Sequence, residues 1–276
     1  MSSDSFIVKE LYHNTYSILD KGLGQGSVYM YLLVGSTRAL LVDSGYGLLD
    51  LKDVVRSITD REVVCVCTHG HVDHAPGSRH FEESYLHSND FEVFRQHTDA
   101  QFLQDMAMKG LTFKPSRRAL ASSSYQQMVK RLVETRYPLP RALDDVESFD
   151  LGGRTVSWRL VPGHTGGSIA MIDEMYHTVF DGDSAPVGVW LFLPESSGLS
   201  DYLVSLREYQ AFLCERQIKQ RYAGHSGAPF TQKHLAKLIR CIETADARPN
   251  RGMKMKTMVG DARIVFAGGS IAFCRR

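Results

Sequence analysis

Apolar positions along this chain follow two rhythms. SVYMYLLVG (27–35) and RALLVDSG (38–45) are nearly continuous apolar runs on either side of a turn-like GST, and they predict a hairpin of buried strands. In LLDLKDVVRSITD (48–60) the spacing becomes helical, with Leu51, Val54, Val55 and Ile58 on one face. REVVCVCTH (61–69) returns to a buried strand, on which Cys65 and Cys67 share a face. Strand, helix, strand in that order predicts a layered architecture of sheets and helices.

From about 88 to 142 the helical rhythm takes over. SNDFEVFRQHTDAQFLQDM and SSSYQQMVKRLVETRY are amphipathic, with Ser88 and Ser123 or Ser124 placed to cap them. A GLTFKPSRR loop divides them, and Pro138 and Pro140 close the region, which reads as a helical insertion. Strand patterns resume in VESFDLGG, RTVSWRLVPGH and SIAMIDEMYHTVFDGD. Two helices are predicted at 199–217 and 231–246, and DARIVFAGGSIAFC predicts a hairpin turning at Gly268–Gly269.

Composition narrows the class. A chain of 276 residues is long enough for a well-buried core. The net charge of +1, with Lys+Arg balanced by Asp+Glu, gives no reason to expect nucleic acid or a membrane surface as partner. No apolar run approaches the roughly 18 residues of a membrane span. MSSDSFIVKE lacks the basic and apolar regions of a secretory signal. The five scattered cysteines read as reduced thiols, which points to the cytoplasm.

Candidate chemistry is concentrated in THGHVDHAPG (68–77). Four titratable side chains within six positions make poor core and good metal ligands. His69 and His71 leave the end of a strand two residues apart, so both imidazoles can face one cation. Asp73 and His74 follow where the chain turns and can face a second. More ligands are needed, and later turns offer them: His164 in VPGHTGG, Asp183 in FDGDSAP and His225 in RYAGHSGAP. Each sits beside glycine, where the backbone can bend and approach closely. A carboxylate such as Asp183 can bridge two cations, and two cations about 3.5–4 Å apart can share a hydroxide.

The set resembles the metallo-β-lactamase superfamily. The HxHxDH signature stands as His69-Gly70-His71-Val72-Asp73-His74, together with LVDSG (41–45), PGHTGGS (162–168), FDGD (180–183) and the GH ending at His225. The resemblance implies a single domain over 1–276, a four-layer αββα sandwich of the α+β class, with the helical insertion near the active-site edge. It implies two divalent metal ions, zinc above all, with manganese or iron as the other candidates. His69, His71 and His164 would hold the first ion. Asp73, His74 and His225 would hold the second, with Asp183 between them. Asp43 would accept a hydrogen bond from a ligand imidazole and fix its tautomer. Asp73 and Asp183 would be the catalytic carboxylates, since both could accept a hydrogen bond from the hydroxide.

Other residues carry plainer expectations. His13, His80, His87, His97, His177 and His234 read as surface or satisfied core positions. Asp181 reads as a solvated turn residue, with an extra carboxylate behind the metals as the other reading. VWLFLPE (189–195) reads equally as the wall of an apolar pocket or as core. Lys109, Lys114, Arg117, Arg118, Lys130, Arg131, Arg136 and Arg141 read as a solvated helix face, or as steering for an anionic substrate.

Within that family, Asp183 stands where true β-lactamases carry Ser or Cys, which argues against β-lactam cleavage. The expected activity is hydrolysis of a small molecule, an ester, thioester or lactone, by a metal-bridging hydroxide. Phosphodiester or phosphonate ester cleavage is the second reading. A mononuclear iron persulfide dioxygenase is the alternative of another class. Substrate contacts and oligomeric state are unknown from the sequence.

Overall fold

The computed structural model describes residues 6–21, 27–110, 115–248 and 252–275. Residues 1–5 of the N-terminal stretch, and 111–114 of the GLTFKPSRR loop with Lys114, lie outside the described residues. Seven strands form a first sheet in chain order: β1 (Phe6–Tyr12), β2 (Thr15–Asp20), β3 (Val28–Val34), β4 (Arg38–Val42), β5 (Glu62–Val66), β6 (Glu83–Leu86) and β7 (Arg141–Ala142). The expected 27–45 hairpin is β3 and β4, with Tyr31 opposite Val42 and Val34 opposite Ala39. β4 to β7 run parallel, so each join needs a crossover. The first crossover contains α1 (Leu51–Arg56), which stops before the polar SITD turn.

Between β6 and β7 the chain is helical, as its spacing predicts, but it breaks differently. The first stretch splits into α2 (Phe91–His97) and α3 (Ala100–Lys109), because Asp99 accepts hydrogen bonds from the Gln101 and Phe102 amides and starts a new helix. Ser88 is not a cap. Its amide and hydroxyl donate to Asp144 instead. After α4 (Arg117–Ala121), α5 (Ser123–Glu134) follows Ser122, whose hydroxyl pairs with that of Ser124. Neither Ser123 nor Ser124 caps it. A helix this short is marginal alone. Val129 and Leu132 of α5 are buried with Leu103, Met106 and Ala107 of α3, against Val72 of the histidine motif. At about 1.5–3 kcal/mol for each large apolar side chain fully buried, that contact, not intrinsic propensity, holds the segment at this edge.

The chain then lays down β8 (Ser148–Asp150), β9 (Thr155–Leu160), β10 (Ile169–Asp173), β11 (Thr178–Gly182) and β12 (Gly188–Leu191). After α6 (Leu199–Glu215) come β13 (Gln220–Ala223), α7 (Gln232–Ala247), β14 (Met253–Thr257), β15 (Gly260–Ala267) and β16 (Ser270–Arg275). The second sheet has the order β13-β11-β10-β9-β8. Tyr31, Leu33, Leu40, Val42, Val64 and Val66 of the first sheet meet Phe149, Val156, Ile169, Met171, Phe180 and Tyr222 of the second in one buried cluster. The opposite face of the first sheet buries Met30, Leu32, Leu41, Cys65 and Cys67 against Leu51 and Val55 of α1 and Phe94 of α2. The opposite face of the second buries Ala170, Ile172 and Val179 against α6 and α7. Helix, sheet, sheet, helix is the expected sandwich. The central strands of each sheet are covered on both faces, so they read as continuous apolar runs.

The predicted final hairpin is β15 and β16, with Ala267 opposite Ser270. Gly268 and Gly269 both take positive φ, as a two-residue hairpin turn demands. It belongs to a third sheet that the sequence reading lacked, ordered β12-β16-β15-β14. The apolar VWLF run therefore enters a sheet: Val189 and Leu191 face α6 and α7, while Phe192 and Leu193 are buried beside Trp190 and Phe273.

Candidate metal centre

Asp43 follows β4, His69 follows β5, His164 follows β9, Asp183 follows β11 and His225 follows β13. The candidate ligands thus gather at one edge of the sandwich, where strand ends from both sheets meet. Two backbone positions make the approach possible. Gly182 has φ +47, and a Cβ there would lie 2.2 Å from the Thr68 hydroxyl. A Cβ on Gly224 would lie 2.4 Å from His74 Cε1.

All seven sequence-predicted ligands come together, and Asp43 lies directly behind them. His71 Nε2 donates to Glu195 Oε1 at 2.8 Å, and His164 Nδ1 donates to the Trp190 carbonyl at 2.9 Å. Each ring therefore turns its other nitrogen inward, and those nitrogens, His71 Nδ1 and His164 Nε2, face each other at 3.0 Å. His69 joins them with a buried Nε2 that has no hydrogen-bond partner. His74 Nδ1 donates to Asp43 Oδ2 at 2.8 Å, and His225 Nδ1 donates to the Ser27 carbonyl at 2.8 Å. Their Nε2 atoms stand 3.4 Å apart. Asp73 Oδ2 and Asp183 Oδ2 each lie 3.3 Å from His225 Nε2. Asp183 also approaches His164 Nε2 and His74 Nε2, both at 3.8 Å, and so stands between the two groups.

Two lone pairs aimed at each other from 3.0 Å repel unless a cation lies between them. The outer partners of the rings enforce that arrangement, so this donor set fits metal ions. The electrostatics divide it in two. Burial, reinforced by neighbouring imidazoles, holds His69 and His71 below the usual histidine range and His164 at about 4, which keeps their lone pairs free. Burial also disfavours charge on His74 and His225, but the carboxylates of Asp73 and Asp183 outweigh it. They raise His74 to about 9 and His225 well above its ordinary value. Burial would raise the Asp73 and Asp183 carboxyls as well; the surrounding imidazoles outweigh it and hold both well below the carboxylate range. One half is a neutral three-nitrogen group. The other is a nitrogen and carboxylate group suited to a second cation.

Three residues near the centre escaped the sequence reading. Asp90 is buried and accepts from the Gly70 amide and the Thr165 hydroxyl, both at 2.7 Å, and from the Gly167 amide at 2.7 Å. It ties the histidine motif to the loop carrying His164. Glu195, from the end of VWLFLPE, touches His71. Arg221 is buried with Asp181, whose carboxylate it meets at 2.5 Å. The solvated-turn reading of Asp181 is therefore wrong: the residue is fully buried and also accepts from the Tyr209 hydroxyl at 3.1 Å. No local pattern marks any of the three. Only Asp90 had a trace, a carboxylate within a short polar turn.

Such a centre, at this edge of two stacked sheets, is built to hold metal ions, and its family is that of metal-dependent hydrolases. The sequence model of the metallo-beta-lactamase superfamily matches residues 23–218, and the chain belongs to that family. Its relatives include proteins named acyl-coenzyme A thioesterase MBLAC2. The one from Gallus gallus is 26% identical over 205 residues, 71% of each chain. The one from Homo sapiens is 25% identical over 202 residues, 69% of this chain and 67% of the relative. Among solved structures, a metallo-beta-lactamase from Pontibacter korlensis aligns with TM-score 0.57 at 14% identity, over 89% of this chain and 100% of that one. The sec-alkyl sulfatase PisA1, as a double mutant, aligns with TM-score 0.64 at 14% identity, over 89% of this chain and 43% of that one. These likenesses establish the fold.

Proposed function

We propose that this chain hydrolyses a small acyl thioester using two zinc ions. His69, His71 and His164 would hold the first ion and Asp73, His74 and His225 the second, with Asp183 available to both. The observation that carries the metal reading is the pair of opposed imidazole lone pairs at 3.0 Å. The choice of thioester rests on the relatives named acyl-coenzyme A thioesterase, which align over 69–71% of this chain. When bound, two such ions polarise a carbonyl and make hydroxide available near neutral pH.

The chain's own groups supply the rest. Asp73 and Asp183 can accept a hydrogen bond from the attacking water and orient it. Asp43 holds the His74 tautomer. Hydrolysis joins the water oxygen to the acyl carbon and breaks the C–S bond, releasing a carboxylic acid and a thiol. The unpaired cysteines support a reducing, cytoplasmic setting. No helix among the described residues is long and apolar enough to cross a membrane. Of the basic helix-face residues, Lys109 pairs with Asp105 and Lys130 with Glu134, which favours a solvated face over a phosphate-steering one.

The test is metal content by mass spectrometry on protein purified without added metal or chelator, followed by assays on acyl thioester, ester, lactone and phosphodiester substrates. About two zinc ions per chain with thioester turnover is the expected result. Turnover of phosphodiesters alone would sink the thioester reading. One iron per chain with oxygen uptake on persulfides would replace it with the dioxygenase.

A further inference from the structure

We propose that Glu195 is the positioning residue of the first metal site, with His97 as the second anchor of its carboxylate. This rests on the metal reading above and goes beyond its ligands. Glu195 lies on the loop that leaves β12, with its side chain 11% exposed. A carboxylate so far from water is costly unless it is paired, and its partners are two imidazoles. Its Oε1 lies 2.8 Å from His71 Nε2 and 3.5 Å from His97 Nε2.

The tautomers follow from the outer contacts. His97 Nδ1 accepts from the Val72 amide at 3.3 Å, so the proton of its ring sits on Nε2 and faces Glu195. A carboxylate only accepts, so His71 must carry its proton on Nε2 as well. That leaves Nδ1 of His71 bare, turned toward His164. Without Glu195 the ring could take the other tautomer or rotate, and the first cation would lose a ligand. The His97 ring reinforces the hold by stacking on His71, centroids 4.4 Å apart and planes within 17°.

The loop is itself fixed. Phe192 and Leu193 are buried in the third sheet's apolar cluster. The Ser196 hydroxyl donates to the His164 carbonyl at 2.9 Å, and the Ser197 amide donates to the Gly163 carbonyl at 2.8 Å. With the Trp190 carbonyl on His164 Nδ1, β12 and its loop orient two of the three imidazoles of this site. Phe102 of α3 lies 4.5 Å from His97, which links the helical segment to the same cluster.

Cobalt-loaded full-length protein tests this, by chelator competition and the visible spectrum of the bound ion. Glu195→Ala should weaken the first site by about 10–100-fold, the usual cost of losing a hydrogen-bond partner behind a ligand, and change its cobalt spectrum. Glu195→Gln should fall between Glu195→Ala and wild type, because an amide oxygen still accepts. His97→Phe keeps the stacked ring but loses the hydrogen bond, and should show a smaller loss. A Glu195→Ala protein with wild-type near-ultraviolet circular dichroism and unchanged affinity overturns the proposal. If Glu195→Ala does not fold, Glu195→Met, which keeps the bulk but has no oxygen to accept, decides: an unchanged affinity and an unchanged Nε2–H signal of His71 in 15N spectra overturn it. Wild-type protein that takes up no cobalt overturns the metal reading itself, and this inference with it.

Discussion

An imidazole gives a cation the nitrogen that its other contact leaves bare, so a histidine here is understood through two partners. His74 is the clearest instance, with Asp43 on one side and the carboxylates of Asp73 and Asp183 on the other. Asp183 is the residue common to both groups. Asp183→Ala should therefore lower metal content from about two ions per chain toward one, and reduce turnover by more than the roughly 10–100-fold of a lost outer partner. Full activity in that variant would remove Asp183 from the site. Arg221 tests a different effect. Removing it strands Asp181, whose carboxyl burial already pushes up to about 6 against the pull of the guanidinium. Arg221→Met should cost about 3–5 kcal/mol in urea unfolding. The ligands could be read from sequence because each is a His or Asp in a turn behind an apolar run, either beside glycine or, for Asp73 and His74, within the same six-residue cluster as His69 and His71. Glu195 and Asp181 could not. Their roles depend on what the fold brings beside them, and a Glu after Pro or an Asp before Gly looks the same on any surface.

At the scale of elements, apolar rhythm located the central strands because both sheets are covered on both faces. It missed β1, whose residues are largely half-buried or exposed, it missed the short strands β2 and β6 as well, and it merged α2 with α3. The serine caps failed for separate reasons: Ser88 turns its amide and hydroxyl to Asp144, and α5 already begins at Ser123, so Ser123 and Ser124 lie inside the helix they were expected to cap. Asp90 shows the opposite case, a short carboxylate serving three donors from two loops. Asp90→Ala leaves the buried Gly70 and Gly167 amides without their acceptor, while the Thr165 hydroxyl keeps only Ser168. At about 1–3 kcal/mol for each unsatisfied group, the variant should lose about 3 kcal/mol or more by chemical denaturation. It should also release metal faster in chelator competition, since the loops bearing His71 and His164 are no longer joined. A loss below about 1 kcal/mol would mean that water replaces the carboxylate.

For the whole molecule, the sandwich supplies the metal edge and the helical segment from about 88 to 142 covers part of it. α3 and α5 bury Val72 and Tyr46 beside the histidine motif. Exchanging residues 100–137 for the equivalent segment of another family member, with the apolar contacts kept, should change which thioester is preferred and spare metal binding. Loss of metal would show that the segment builds the centre instead of bordering it. The third sheet has a consequence of a different kind. Among the described residues β12 pairs only with β16, and β12 and its loop back both His164 and His71. A ribosome that has released every ligand up to His225 has still not made the strand that β12 requires. Nascent chains stalled before Ser270 should exchange metal freely, whereas chains released after it should retain it. Metal retention on such arrested chains would be the readout. In the cell, loading would then be a late event, delayed until synthesis has passed the last strand of the sheet.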